Sequence, residues 1–155
     1  MFKPSTLAVL ISTLLLSNSL LANSATPAAQ QLAQDAIIVD THIDAPTELL
    51  VQWNDLGYAT PSREFDYPSA RSGGLDVAFM SIYTSPEEDA EGKARQVANM
   101  QIDSIEALIA RHPDKFALLT SAQQVDNLKE NGHVFVALGM ENGAQDAASI
   151  LMQLA

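Results

Sequence analysis

The residues best suited to chemistry follow a short apolar run near the start of the chain. Ile37-Ile38-Val39 is β-branched, which predicts a strand, and the sequence DTHID continues directly from it. Residues two apart in an extended chain face the same side, so Asp40, His42 and Asp44 are expected to project together. Imidazole nitrogen and carboxylate oxygen are suitable ligands for zinc and similar ions. The pattern predicts a metal site; the alternative is two loop acids beside a surface histidine.

Glu141 is the second candidate, because it directly follows another apolar run, residues 133–140 (HVFVALGM). Gly139 and Gly143 flank it and allow close backbone approach. Barrels and open α/β sheets place their active sites at the C-terminal ends of parallel strands. The competing interpretation is an acid placed at a helix N-terminus, where the helix dipole favours it.

Four further side chains are weaker candidates. His112 precedes a proline at a predicted helix end, and His133 opens a predicted strand, which are ordinary structural positions. Tyr83 ends a predicted strand, where it would line a site. Trp53 falls in a long loop, where it would either form part of a substrate pocket or cover the edge of the core.

The elements that must position these residues alternate between strands and helices. Residues 75–83 (LDVAFMSIY) form a nearly continuous apolar run, typical of a strand buried on both faces of a parallel sheet. Ser85 is a predicted N-cap for one helix that runs to His112-Pro113. This alternation predicts parallel βα units. Further predictions are a short helix near residues 26–34, a loop at 54–71 ending in a short helix, a strand at 116–119, and helices at 121–131 and 144–154.

The composition of the 155-residue chain excludes several classes of function. It has 8 Lys and Arg against 19 Asp and Glu, a net charge of −11. Nucleic-acid binding requires a basic face, so no nucleic-acid partner is expected. The chain contains no cysteine, which rules out disulfides, thiolate catalysis and Cys-based zinc sites.

Residues 1–25 have the pattern of a secretory signal peptide. Lys3 gives a short positive region, residues 7–16 are apolar, and cleavage after about Ala22 or Ala25 fits the small-residue rule. The apolar run is too short for a good membrane span, although an uncleaved anchor is the alternative. The expected mature chain, residues 26–155, is one domain without a membrane span, located in the periplasm or secreted.

Three segments together resemble the membrane dipeptidase (renal dipeptidase) family of zinc peptidases. IIVDTHIDAP is similar to the family's opening strand, whose usual form is D-x-H-N-D. RSGGLDVAFMSIY resembles its glycine-initiated second strand, and VFVALGMENG resembles its strand ending in glutamate. The order and separation of the segments fit the family, and they span most of the mature chain.

The resemblance implies a TIM-type (β/α)8 barrel that binds two zinc ions and hydrolyses small dipeptides. His42 and Asp44 match the two metal ligands of the opening motif, and Glu141 matches the carboxylate that bridges both metals. Ile43 stands where asparagine is common, and it is expected to point away from the metals. A homodimer is compatible with the resemblance.

The length of the chain sets a limit on this interpretation. An eight-stranded barrel needs about 250 residues, so we expect this chain to hold the first three to four βα units. We therefore expect an N-terminal portion of a zinc dipeptidase, inactive by itself. The alternatives are another metal-dependent hydrolase barrel of the amidohydrolase type and a non-catalytic secreted α/β binding protein.

Overall fold

The computed structural model describes residues 25–127 and 132–143. Residues 1–24 of the predicted signal peptide and the predicted helix at 144–154 lie outside these residues. In the described part of the chain, no helix is long and apolar enough to cross a membrane. The elements in chain order are α1 (Pro27–Asp35), β1 (Ile38–Ile43), α2 (Ala45–Val51), α3 (Tyr67–Gly73), β2 (Leu75–Ile82), α4 (Pro86–Ala90), α5 (Ala94–Arg111), β3 (Phe116–Leu118), a 3₁₀ helix (Ala122–Asn127) and β4 (Val134–Met140).

The four strands form one parallel sheet with the order β1-β2-β4-β3. β2 and β4 pair along almost their whole lengths, from Val77↔Phe135 to Ile82↔Met140. The short β3 pairs only with the first part of β4 and lies outside it. The predicted parallel α/β fold is confirmed. Because the strands are parallel, the residues that follow β1, β2 and β4 meet at one edge of the sheet.

The two faces of the sheet have different surroundings. On one face, helices cover the main core, in which Ala78, Met80 and Val136 of the sheet pack with Ile105 and Leu108 of α5. The opposite face carries a smaller cluster around Val77 and Phe135. The alternation of residues along β2 thus assigns each side chain to one face. Ser81 shares the parity of Val77 and therefore lies on the face opposite the helices.

β1 contains two irregularities that the sequence pattern did not predict, one between Ile38 and Val39 and one between Asp40 and Ile43. Asp40 pairs with Ala78 and Ile43 pairs with Met80, so β1 advances three residues while β2 advances two. An extra residue of this kind reverses the alternation of the side chains that follow it. Asp40 keeps the register of the helix-covered face, whereas His42 moves to the other face. Asp40, His42 and Asp44 nevertheless all line one cleft, as expected, although only His42 and Asp44 are in side-chain contact.

The predicted single helix after β2 is also wrong, because the structure has two. Ser85 caps α4 as predicted, in a capping box with Glu88. The chain then turns at Gly92, whose φ of 69° is in the left-handed region. The N–H of Lys93 donates to the carbonyl of Glu88 and closes this turn. The apolar periodicity of α5 is real, but it extends only from the turn onwards.

Candidate metal centre

The three predicted metal ligands lie together at the C-terminal edge of the sheet. His42 Nδ1 is 2.8 Å from Oε1 of Glu141, and His42 Nε2 is 3.1 Å from Oδ1 of Asp44. His42 lies near the end of β1, Asp44 directly follows it, and Glu141 directly follows β4. His42 and Glu141, 99 positions apart in the sequence, are thus brought into contact by the parallel order of the strands.

Ser81 of β2 lies between the two strands that carry these residues. Neighbouring strands are about 4.8 Å apart, so side chains from β1 and β4 must span about 10 Å across β2. The Ser81 hydroxyl donates to Oε1 of Glu141 at 2.8 Å, and the residue is 2% exposed. A small side chain here leaves room for His42 and Glu141 to meet above it. Sequence reasoning missed Ser81 because a single serine in an apolar run carries no distinct signal.

The backbone around each carboxylate directs it towards His42. Asp44 occupies the N-cap position of α2, yet its side chain makes no capping hydrogen bond and instead contacts the imidazole. The N–H of Glu141 donates to the carbonyl of Ile82 and extends the β2–β4 ladder by one residue. Asn142 follows with φ of 66°, and its amide donates to the carbonyl of Thr84 at 3.1 Å. These contacts fix the point at which the Glu141 side chain leaves the sheet.

The donor atoms suit a divalent cation such as zinc. A neutral imidazole carries one N–H and can donate to only one carboxylate, whereas both ring nitrogens of His42 contact a carboxylate oxygen. A bound cation would take the place of a proton in such a contact. Two ligands of a tetrahedral zinc ion at about 2.0–2.1 Å lie roughly 3.3 Å apart, which is nearer to the 3.1 Å between His42 and Asp44 than to the 2.8 Å between His42 and Glu141.

The three side chains do not converge on one point. Within residues 25–127 and 132–143, no three His, Asp or Glu side chains are already arranged around a position that could hold a metal ion. The physical reason is visible at His42, whose two nitrogens hold Asp44 and Glu141 on opposite sides of the ring. The residue types therefore fit zinc, while in this structure the donor atoms contact one another instead of surrounding a single position.

The site opens to solvent and is strongly acidic. The side chains of His42, Asp44 and Glu141 are 53%, 63% and 39% exposed. Glu48 adds a further carboxylate, which is paired with Arg63 at 3.1 Å. An excess of carboxylates in a cleft favours the approach of cations. A cleft of about 390 Å³ is lined by His42, Asp44, Thr47, Glu48, Tyr83 and Glu141, and a second of about 420 Å³ runs past His42 along β1.

Gln101 of α5 supports the wall of the smaller cleft from behind. It is 1% exposed, and its amide donates to the carbonyl of Tyr83 at 2.8 Å and to the hydroxyl of Thr47 at 3.3 Å. The sequence prediction that Tyr83 lines a site agrees with this position. Trp53 is 43% exposed and lines neither cleft.

The other two histidines have structural contacts. His112 is buried, and its Nε2 lies 2.6 Å from Oδ1 of Asp55. Burial acts to raise the pKa of Asp55, but hydrogen bonds from His112 and the Gly57 N–H, together with nearby positive charge, lower that pKa below its ordinary range. His133 contacts the carbonyl of Pro113 at 3.0 Å. Neither is part of the site, as the sequence indicated, although the carboxylate partner of His112 was not predicted.

Comparison with known proteins gives consistent results. The sequence model of the membrane dipeptidase family, peptidase family M19, matches residues 27–154. A solved dipeptidase of family M19 matches 77% of this chain at 20% identity, with a TM-score of 0.61. A metallopeptidase from Rhodobacter sphaeroides, solved with a phosphinate mimic of the dipeptide L-Ala-D-Ala, matches 77% at 19% identity and a TM-score of 0.58.

A third solved structure, the probable dipeptidase PvdM from Pseudomonas aeruginosa, matches 82% of this chain at 18% identity, with a TM-score of 0.61. The chain spans 34–43% of the length of these three structures. At such identities the structures establish the shared α/β fold. The family match covers most of the sequence and agrees with the three motifs and with the parallel sheet. The chain therefore belongs to the membrane dipeptidase family of metallopeptidases, peptidase family M19.

Proposed function

We propose that His42, Asp44 and Glu141 are the zinc ligands that this chain contributes to a dipeptide-hydrolysing site. The observation that carries the proposal is the meeting of these three side chains over Ser81, at the C-terminal edge of a parallel sheet. Membership of a metallopeptidase family supports it. The phosphinate dipeptide mimic bound by the Rhodobacter sphaeroides relative supports dipeptides as the substrate class.

Each residue has a distinct part in this proposal. Bound zinc would lower the pKa of a water molecule and polarise the scissile carbonyl. His42 supplies the nitrogen ligand, and Asp44 supplies a carboxylate that offsets the charge of the cation. Glu141 would supply the carboxylate that, as the family resemblance implies, serves both ions. Ser81 holds Glu141 in place through its hydroxyl, 2.8 Å from Oε1.

We propose further that the 155-residue chain does not hydrolyse dipeptides by itself. A zinc ion in a protein takes about four ligands, whereas the described residues bring together one imidazole and two carboxylates at this site. Two ions need more ligands than these. The proposed location is the periplasm or the exterior of the cell, on the basis of the signal-peptide pattern in residues 1–25.

The activity is tested with a chimaera. Residues 37–143 of this chain replace the matching segment of a complete family M19 dipeptidase, and zinc-dependent hydrolysis of L-Ala-D-Ala is measured. We expect turnover that His42→Ala abolishes and that His133→Ala, as a matched control, leaves intact. A folded, zinc-binding chimaera that leaves dipeptides uncleaved would contradict the proposal. Hydrolysis by the 155-residue chain alone would refute the statement that it is inactive.

A further inference from the structure

Asp40 precedes His42 by two residues and has no part in the proposed ligand set. Its Oδ1 accepts a hydrogen bond from the backbone N–H of His42 at 3.0 Å. It is exposed on the edge strand β1, in register with Ala78, and it lines the same cleft as His42 and Asp44. A carboxylate two residues before a metal-ligand candidate is thus engaged with the backbone of that residue.

This contact lies at the second irregularity of β1, between Asp40 and Ile43. Where an extra residue interrupts a ladder, a backbone N–H loses its regular partner and needs another acceptor. The side chains of aspartate and asparagine accept such a bond from the N–H two residues further on, because their length closes a compact ring. Asp40 satisfies the N–H of His42 in this way, at the point where the strand changes its alternation.

The change of alternation decides where His42 points. Without it, His42 would keep the parity of Asp40 and face the helices. With it, the imidazole lies 2.8 Å from Glu141 across Ser81. We infer that Asp40 is a positioning residue, whose side-chain oxygen holds the irregularity in β1 and thereby turns His42 towards Glu141. Its required property is a hydrogen-bond acceptor at this length, not a negative charge.

Two variants separate these properties. Asp40→Asn keeps the acceptor oxygen at the same position and removes the charge. Asp40→Glu keeps the charge, but its extra methylene makes the ring with the His42 N–H too large. The full chain without metal is studied by NMR, which measures hydrogen-exchange protection of the His42 amide and the contact between its ring and the Glu141 side chain. Zinc affinity is measured separately by calorimetry, and only this second arm rests on the proposed function.

We expect Asp40→Asn to keep the protected amide, the contact of the His42 ring with Glu141 and the zinc affinity of the unaltered chain. We expect Asp40→Glu to lose the protection and the contact, and to bind zinc about tenfold more weakly, as for other residues that orient a ligand. Loss of the contact in Asp40→Asn, or its retention in Asp40→Glu, would overturn the inference. If the unaltered chain binds no zinc, the proposed function fails, while the NMR comparison still decides the role of Asp40.

Discussion

Among the residues that the structure describes, two histidine–carboxylate clusters have different surroundings. His112 is enclosed, with its side chain 8% exposed and one carboxylate partner, Asp55. Tyr58 packs edge-on against its ring at 5.4 Å. His42 has two carboxylate partners and a side chain 53% exposed, at an edge of the sheet where a cleft opens.

The difference shows what separates a structural pair from a candidate site. Both clusters use the same contact chemistry at similar distances, so a distance alone does not distinguish them. The pair of His112 and Asp55 joins the end of α5 to the loop before α3 and is closed by packing. The cluster of His42 joins three strand ends and leaves access for a ligand. Variants that act on one cluster and spare the other can test this distinction.

The largest expected effect is a loss of stability in His112→Ala. Removing the imidazole leaves the Asp55 carboxylate partly buried without its partner, and opens a cavity beside Tyr58. We expect the free energy of unfolding to fall by about 3 kcal/mol, as measured by urea denaturation. His133→Ala is the control and is expected to change it by less than about 0.5 kcal/mol. Equal effects of the two substitutions would show that the His112 pair is not a structural one.

Gly57→Ala is expected to be the next most damaging change. A Cβ at this position would lie 2.4 Å from Nε2 of His112, and the neighbouring ring atoms are almost as close. Relieving this overlap must displace the buried ring, at a cost of about 2 kcal/mol. Gly73→Ala is the matched control, because nothing lies within 4 Å of its added Cβ. A melting temperature for Gly57→Ala as high as that of the control would contradict the enclosed position of His112.

Ser81→Ala acts on the other cluster. It removes the hydroxyl that orients Glu141 but adds no bulk, so the sheet should remain intact. We expect zinc affinity to fall about tenfold, with little change in unfolding by urea. Ser104→Ala serves as the control, since that hydroxyl donates to the carbonyl of Gln101 within α5. Unaltered zinc affinity in Ser81→Ala would show that the Ser81 hydroxyl does not position Glu141 for zinc binding.

The smallest expected effect is a dependence of stability on acid. Because the pKa of Asp55 is lower in the folded than in the unfolded chain, ionised Asp55 stabilises the fold. This contribution to the free energy of unfolding is complete at a pH above the pKa of the unfolded chain. It is lost as the pH falls through the folded value, below about pH 4. Asp55→Asn should flatten the dependence of the free energy of unfolding on pH in this range. The change should be a fraction of the loss of stability expected for His112→Ala. A slope for Asp55→Asn equal to that of the unaltered chain would argue against the pair.

The fold was largely predictable from the sequence because buried parallel strands leave a strong pattern. β2 and β4 were predicted to within about a residue at each end, since each is a nearly continuous apolar run. The break at Gly92 was missed because the apolar spacing of α5 seemed continuous with the capped start of α4. A glycine between two helical patterns was the available signal.

The candidate site was predictable in its residues but not in its geometry. His42, Asp44 and Glu141 were identified from residue type and from positions at strand ends. The irregularity in β1 was not, because strict alternation was assumed from Asp40 to Asp44 and register depends on pairing with β2. The position of Ser81 matters because His42 of β1 and Glu141 after β4 lie on either side of it. The sequence around Ser81 contains no information about these neighbours on other strands.

The central claim is that His42, Asp44 and Glu141 bind zinc together, and calorimetric titration of zinc into the full chain tests it most directly. We predict binding that His42→Ala and Glu141→Gln each weaken by at least about 100-fold, equal to about 2.7 kcal/mol. His133→Ala should bind as the unaltered chain does. Absence of zinc binding, or binding that His42→Ala leaves unchanged, would contradict the claim.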